Sequence, residues 1–208
     1  MEILINNVAV LLIFALIGWI LGKRQILSTQ NLRLLSVLEV WVFMPCNCFN
    51  SFSKNFTAEY FIGNYPLLIL SAIILLGLVL VNYLVVPKLV QNHYHRNVVR
   101  SLLTIPNYGY VGYALVQGTY GDLMLFNAQF FALPMAIYSY TEGYRLLTNS
   151  GKPSFRRIVN PIIIAILVGC IFGLAQWKVP MAVSMVILKG AACMGPVSML
   201  LAGITISM

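Results

Sequence analysis

Seven stretches of this chain carry too little charge to sit in water: about 3–21, 34–53, 65–86, 98–118, 123–144, 158–175 and 180–203. A helix needs roughly 20 apolar residues to cross a bilayer. In hydrocarbon every backbone amide and carbonyl must find its partner within the protein, which leaves helices as the form for such stretches. Composition agrees, with 60% hydrophobic and 9% charged residues, where soluble domains carry about a quarter charged. Helices of soluble cores are also shorter and keep a polar face. The implied fold class is an all-α polytopic membrane protein with seven transmembrane helices. Pro87 is expected to stop the third span, and Pro180 suits the first turn of the last.

The loops between these spans alternate in charge. One set holds Lys23, Arg24, Arg33, Lys88, Arg96, Arg100, Arg145, Lys152, Arg156 and Arg157; the other holds only Lys54 and Lys178, with Lys189 inside a span. Basic loops stay in the cytoplasm. The expected topology is therefore a multi-pass protein of the plasma membrane with its amino terminus outside. Orientation and anionic lipid account for the net charge of +8, so no nucleic-acid partner is implied. His93 and His95 belong to a basic loop and read as solvated, headgroup-facing residues. Asn55-Phe56-Thr57 is a glycosylation sequon in an outward loop, a triplet common by chance.

A shift of 151 positions places Gly18 on Gly169, Gly22 on Gly173 and Pro45 on Pro196. It pairs span one with six and span two with seven, so one repeat holds five spans. An odd-numbered repeat inserts upside down relative to its copy, as in many carriers whose site lies at mid-membrane on interrupted helices. The expected organisation is a five-span repeat over 1–147, a cytoplasmic basic loop over 148–157, and over 158–208 the first two spans of an incomplete second, inverted repeat. The glycines themselves read as small-xxx-small packing stripes.

Span four contains Pro106-Asn107-Tyr108-Gly109-Tyr110-Val111-Gly112-Tyr113. Proline removes a donor and clashes with the turn before it, and two glycines loosen the turns after it. A broken crossover helix is expected here, with freed backbone groups lining a cavity. Asn107 adds an amide that donates and accepts. Pro106, Asn107, Gly109 and Gly112 are thus the candidate binding residues for a small carboxylate or a coupling ion; an ordinary proline kink is the alternative. Pro45 precedes Asn47 at a second break, and Asn47 either faces the same cavity or makes a structural hydrogen bond. Pro134 is expected to kink span five, and Pro196 to interrupt span seven.

Charges inside spans are costly and mark function or pairing. Glu142 and Arg145 are three apart and expected to pair. Glu39 and Lys189 form a candidate charge pair across the two copies, since the counterpart of Lys189 is Leu38. Cys46, Cys48, Cys170 and Cys193 read as small buried hydrophobes rather than a metal or redox set. No hydrolytic, redox or nucleotide-binding motif is present, so neither an enzyme nor a cofactor or metal is expected.

The stretch Pro106 to Leu115 with Tyr120-Gly121, the Asn160-Pro161 opening of span six, and Gly195-Pro196-Val197-Ser198-Met199-Leu200 with Gly203 resemble the auxin efflux carrier family in its bacterial form. Gly18, Lys23-Arg24-Gln25-Ile26-Leu27-Ser28 and Pro45 fit the same family. The resemblance implies ten spans in two inverted halves, with crossing broken helices in spans four and nine. It also implies carriage of small organic anions such as auxin-like acids or dicarboxylates, with Asn107, Gly109 and Gly112 in the crossover. Ala114 stands where the family usually has proline. Spans eight to ten are not represented, so a carboxy-terminally truncated form with impaired transport is expected. The alternative is a non-transporting membrane remnant, or a subunit completed by another chain or by a homodimer.

Overall fold

The computed structural model describes residues 2–27, 29–105, 108–148 and 159–208. Among these the regular structure is helical throughout, without strands. The helices are α1 (Glu2–Lys23), α2 (Thr29–Leu38), α3 (Met44–Asn55), α4 (Ala58–Leu89), α5 (His93–Thr104), α6 (Tyr113–Tyr120), α7 (Asp122–Phe131), α8 (Leu133–Tyr138), α9 (Tyr144–Thr148), α10 (Pro161–Ala175) and α11 (Met181–Ser207). Short π-helical turns occupy Glu39–Phe43, Tyr108–Gly112 and Ser139–Gly143.

Four stretches among the described residues are long and apolar enough to cross a membrane: Glu2–Lys23, Asn31–Asn55, Ala58–Leu89 and Met181–Ser207. Pro161–Ala175 is apolar but shorter. The stretches expected as spans four and five are instead divided into short helices. α5 ends at Ile105, whose φ of −117° and ψ of 85° leave the helical region. α7 ends before Ala132, where ψ falls to −2°, and α8 restarts with Pro134 in its first turn. A proline is tolerated there because first-turn amides have no intrahelical acceptor. α4, by contrast, runs through both Pro66 and Pro87 to Leu89. Pro87 therefore does not stop the third span at 86; the lost hydrogen bond falls in the last turn, where it disrupts little. At 32 residues, α4 is about 48 Å long, well beyond a hydrocarbon layer of roughly 30 Å.

The chain forms two compact units, neither continuous in sequence. One comprises Met1–Ala58, Gly109–Ala128 and Pro161–Met208; the other comprises Glu59–Tyr108 and Gln129–Asn160. In the first unit α1 packs along α11 and α10 along α3, while α6 rests on α1 and α11. Glycines set these approaches, since small residues let two helices pack closely and a residue without Cβ most of all. Gly18 faces the Leu200 backbone and Gly22 faces Ser207; Gly169 faces Phe49 and Gly173 faces Phe56. Each contact of the second pair is the first displaced by 151 positions, with the roles of the early and late helix exchanged.

The ends of α1 and α10 correspond in the same way. After α1, Gln25 takes φ +55°, with its amide donating to Gly22 O and Ile26 N donating to Leu21 O. After α10, Gln176 takes φ +53°, with its amide donating to Gly173 O and Trp177 N donating to Phe172 O. Both are left-handed C-terminal caps of the Schellman type, and Gln25 and Gln176 are themselves 151 apart.

The second unit is organised by polar contacts. Asn82 Nδ2 donates to Thr104 Oγ1 at 2.8 Å, and Tyr83 Oη donates to Glu142 Oε1 at 2.9 Å. Arg100 lies over the Tyr83 ring. Arg145 Nε donates to Glu142 Oε2 at 2.6 Å, so the expected Glu142–Arg145 pair forms. Asn92 caps α5 by accepting from the Tyr94 and His95 amides.

Candidate functional site

The polar groups of the first unit converge on the segment after the interruption of span four. Proline at 45 has no amide hydrogen and its ring collides with the carbonyl four residues earlier. The chain answers with the π turn Glu39–Phe43, in which Met44 N donates to Glu39 O, five residues back. The turn adds one residue to the winding. In an unbroken α-helix, residues 39 and 47 lie about 80° apart around the axis; removing one residue from the count brings them within about 20°. Glu39 and Asn47 both end up buried, at 0% and 2% exposure.

Asn47 Nδ2 donates to Gln117 Oε1 at 3.4 Å, and Gln117 Nε2 donates to Asp122 Oδ1 at 2.9 Å. Asn7 of α1 donates to the Gly118 carbonyl. Gln117 and Asn7 also line an open cavity of about 280 Å³, together with Phe14, Ala114, Gly195 and Pro196. Its walls come from α1, α6 and α11. Apolar surface with a few convergent amides is the usual make-up of a small-ligand site, though the volume is just under the usual range of about 300–1,000 Å³.

Glu39 lies beside this arrangement with a different partner from the one expected. Ser198 Oγ donates to Glu39 Oε1 at 2.7 Å, and the other carboxylate oxygen has no partner among the described residues. Lys189 is exposed and makes no ion pair with Glu39. It sits nine residues from Ser198 on α11, about 13 Å along the axis. The proposed Glu39–Lys189 pair is therefore replaced by Glu39–Ser198.

The remaining candidates divide cleanly. Asn107 and Pro106 lie outside the described residues. Gly109 belongs to the π turn after the interruption, with the flexible end of the Met44 side chain, Cε, against it. Gly112 closes that turn with ordinary α-helical angles. Pro45 sits in the first turn of α3, directly after its π turn. Pro196 is accommodated inside a continuous α11, and Pro134 belongs to the second unit. Gln117, Asn7 and Ser198 were not singled out by the sequence. Their signal was a polar side chain within an apolar stretch, the same signal that drew attention to Asn47. Of the four cysteines, Cys48 is buried, Cys46 and Cys170 are half-buried, and Cys193 is exposed. The expectation of four buried cysteines is thus corrected at Cys193, which α11 carries on its outer face.

Helices of this length and apolarity define an integral membrane protein. Residues 3–155 match the family described as Membrane transport protein, a match that spans α1 through α9, and the chain belongs to that family. The family resemblance seen in the motifs is borne out at this level, and the protein is a membrane transport protein. No curated protein matches the chain.

Proposed function

We propose that the chain is a secondary carrier of small organic anions, such as auxin-like acids or dicarboxylates, in the plasma membrane with its amino terminus outside. The observation that carries this reading is the interruption of span four, followed in the chain by the Asn47–Gln117–Asp122 contacts and the cavity beside them. Amides can hold a carboxylate through their N–H groups without the desolvation cost of a buried cation. Pro106, Asn107, Gly109 and Gly112 remain proposed binding residues on the strength of the sequence motif. The reciprocal contacts Gly18–Leu200 and Gly169–Phe49, with the matched caps at Gln25 and Gln176, support an inverted repeat between α1–α3 and α10–α11. A carrier built this way exposes its site alternately by rocking one repeat against the other.

The test is uptake of labelled indole acetate and malate into proteoliposomes containing the full chain. Gln117→Ala removes one neutral hydrogen-bonding group and is expected to cut saturable uptake roughly tenfold. Asn107→Ala is expected to abolish it. Uptake that stays unchanged in both variants would exclude this site.

A further inference from the structure

In the second unit, one half-buried arginine carries a charge that no carboxylate answers. Arg100 lies over the Tyr83 ring, its guanidinium carbon 4.1 Å from the ring centroid. A guanidinium has five N–H donors. Nη2 reaches the Tyr83 carbonyl at 3.4 Å. Nε is buried without a partner among the described residues, and the group makes no ion pair among them. The neighbouring carboxylate is already taken, since Glu142 accepts from Arg145 Nε at 2.6 Å and from Tyr83 Oη at 2.9 Å. A cation held so poorly at the edge of a span costs free energy that an anion would offset.

Arg100 is also held in place, which separates it from a loose surface charge. Its carbonyl accepts from Thr104 Oγ1 at 2.8 Å, and the same hydroxyl accepts from Asn82 Nδ2 at 2.8 Å. α5 is thereby tied to α4 beside Tyr83, whose ring is fixed in turn by its hydrogen bond to Glu142. Further cations share this end. Lys88 stands in the last turn of α4, and Arg96, one turn before Arg100, spends its donors on the Val90 and Gln91 carbonyls. From Tyr83 an apolar stripe runs back along α4. Leu80, Leu76 and Ile73 are all exposed and fall within about 80° of Tyr83 around the helix. Ile73 stands about 15 Å from Tyr83 along the axis, half of a hydrocarbon layer of roughly 30 Å.

We propose that this corner of α4 and α5 binds one anionic phospholipid. Its phosphate lies against the exposed part of Arg100, and one acyl chain follows Leu80, Leu76 and Ile73 through its leaflet. A guanidinium fixed on an aromatic ring offers phosphate paired donors in a set geometry, which a mobile ammonium does not. The surplus of Lys88, Arg96 and Arg100 favours a headgroup of net negative charge over a zwitterionic one. The stripe commits the site to a lipid, since a free phosphate would leave one leaflet's depth of apolar surface uncovered. The inference concerns lipid binding alone and stands whether or not the chain carries organic anions.

The experiment titrates phosphatidylglycerol and phosphatidylcholine onto the full chain in a neutral detergent, with bound lipids counted by native mass spectrometry. Wild type is expected to hold one phosphatidylglycerol in preference to phosphatidylcholine, and Arg100→Gln to weaken that binding roughly tenfold. Leu76→Ala with Leu80→Ala is expected to weaken it severalfold; both leucines are exposed, so this pair keeps the test open should Arg100→Gln fail to fold. Arg33→Gln, an exposed cation of the first unit, is expected to leave it unchanged. Equal affinity for the two lipids overturns the proposal, as does undiminished binding in Arg100→Gln or in the leucine pair. An equal loss in Arg33→Gln would mean diffuse attraction to the basic loops and overturns it too. Displacement of the lipid by millimolar inorganic phosphate would assign the corner to a free anion, against the proposal. The same spectra read copy number, and a wild-type dimer that the leucine pair dissociates would give the stripe to a second copy instead.

Discussion

Gly173 has no room for a methyl group. A Cβ there would press on the Phe56 and Phe52 carbonyls, which are backbone atoms of a packed helix and cannot turn aside. Gly63 and Gly77 on α4 have nothing within 4 Å of the same position. Gly173→Ala is expected to destabilise by about 1–3 kcal/mol through overpacking. Gly63→Ala and Gly77→Ala are expected to leave thermal stability in detergent unchanged or raised, because alanine favours helix. Equal melting temperatures for all three would refute the packing account. The glycine stripe was legible in the sequence because close helix approach admits few residue types. The partner of Glu39 was not. Repeat arithmetic sets Lys189 opposite Leu38, but residues matched by a repeat occupy equivalent places, which is a different relation from touching. Ser198 reaches Glu39 across 159 positions, a distance no local pattern encodes.

Among the elements, the segment from α2 to α3 shows how one proline reshapes a span. Pro45 forces a π turn and thereby turns Asn47 onto the buried side with Glu39. Pro196, its counterpart by the repeat, produces no such turn in α11. The sequence marked both prolines as breaks, and proline chemistry is local enough for that. How each helix absorbs its proline depends on the neighbours that press on it. Pro45→Ala restores the missing donor and permits a regular α-helix, which would rotate Asn47 by about 100°. The expected outcome is a melting temperature unchanged or higher, with uptake in proteoliposomes reduced roughly tenfold as the Asn47–Gln117 hydrogen bond is lost. Full uptake would mean that the turn does not position Asn47.

For the molecule as a whole, the charge pattern of the loops makes the firmest prediction. Reporter fusions after residue 57 are expected to lie outside and fusions after residue 90 inside, read by alkaline phosphatase and green fluorescent protein activity respectively. The opposite pattern would reverse the proposed orientation. Charge alternation is readable without a structure because insertion acts on loop charge and span hydropathy, both properties of the linear chain. The same holds for membrane class, for the fragmentation of span four and for the breaks at Pro45 and Pro134. They follow from hydrocarbon solvation and from backbone groups within a few residues of each other. Tertiary structure alone decided which polar side chains meet: Glu39 with Ser198, and Asn47 with Gln117. Those meetings depend on how α1, α3, α6 and α11 cross, and crossing is fixed by glycine contacts between segments far apart in the chain.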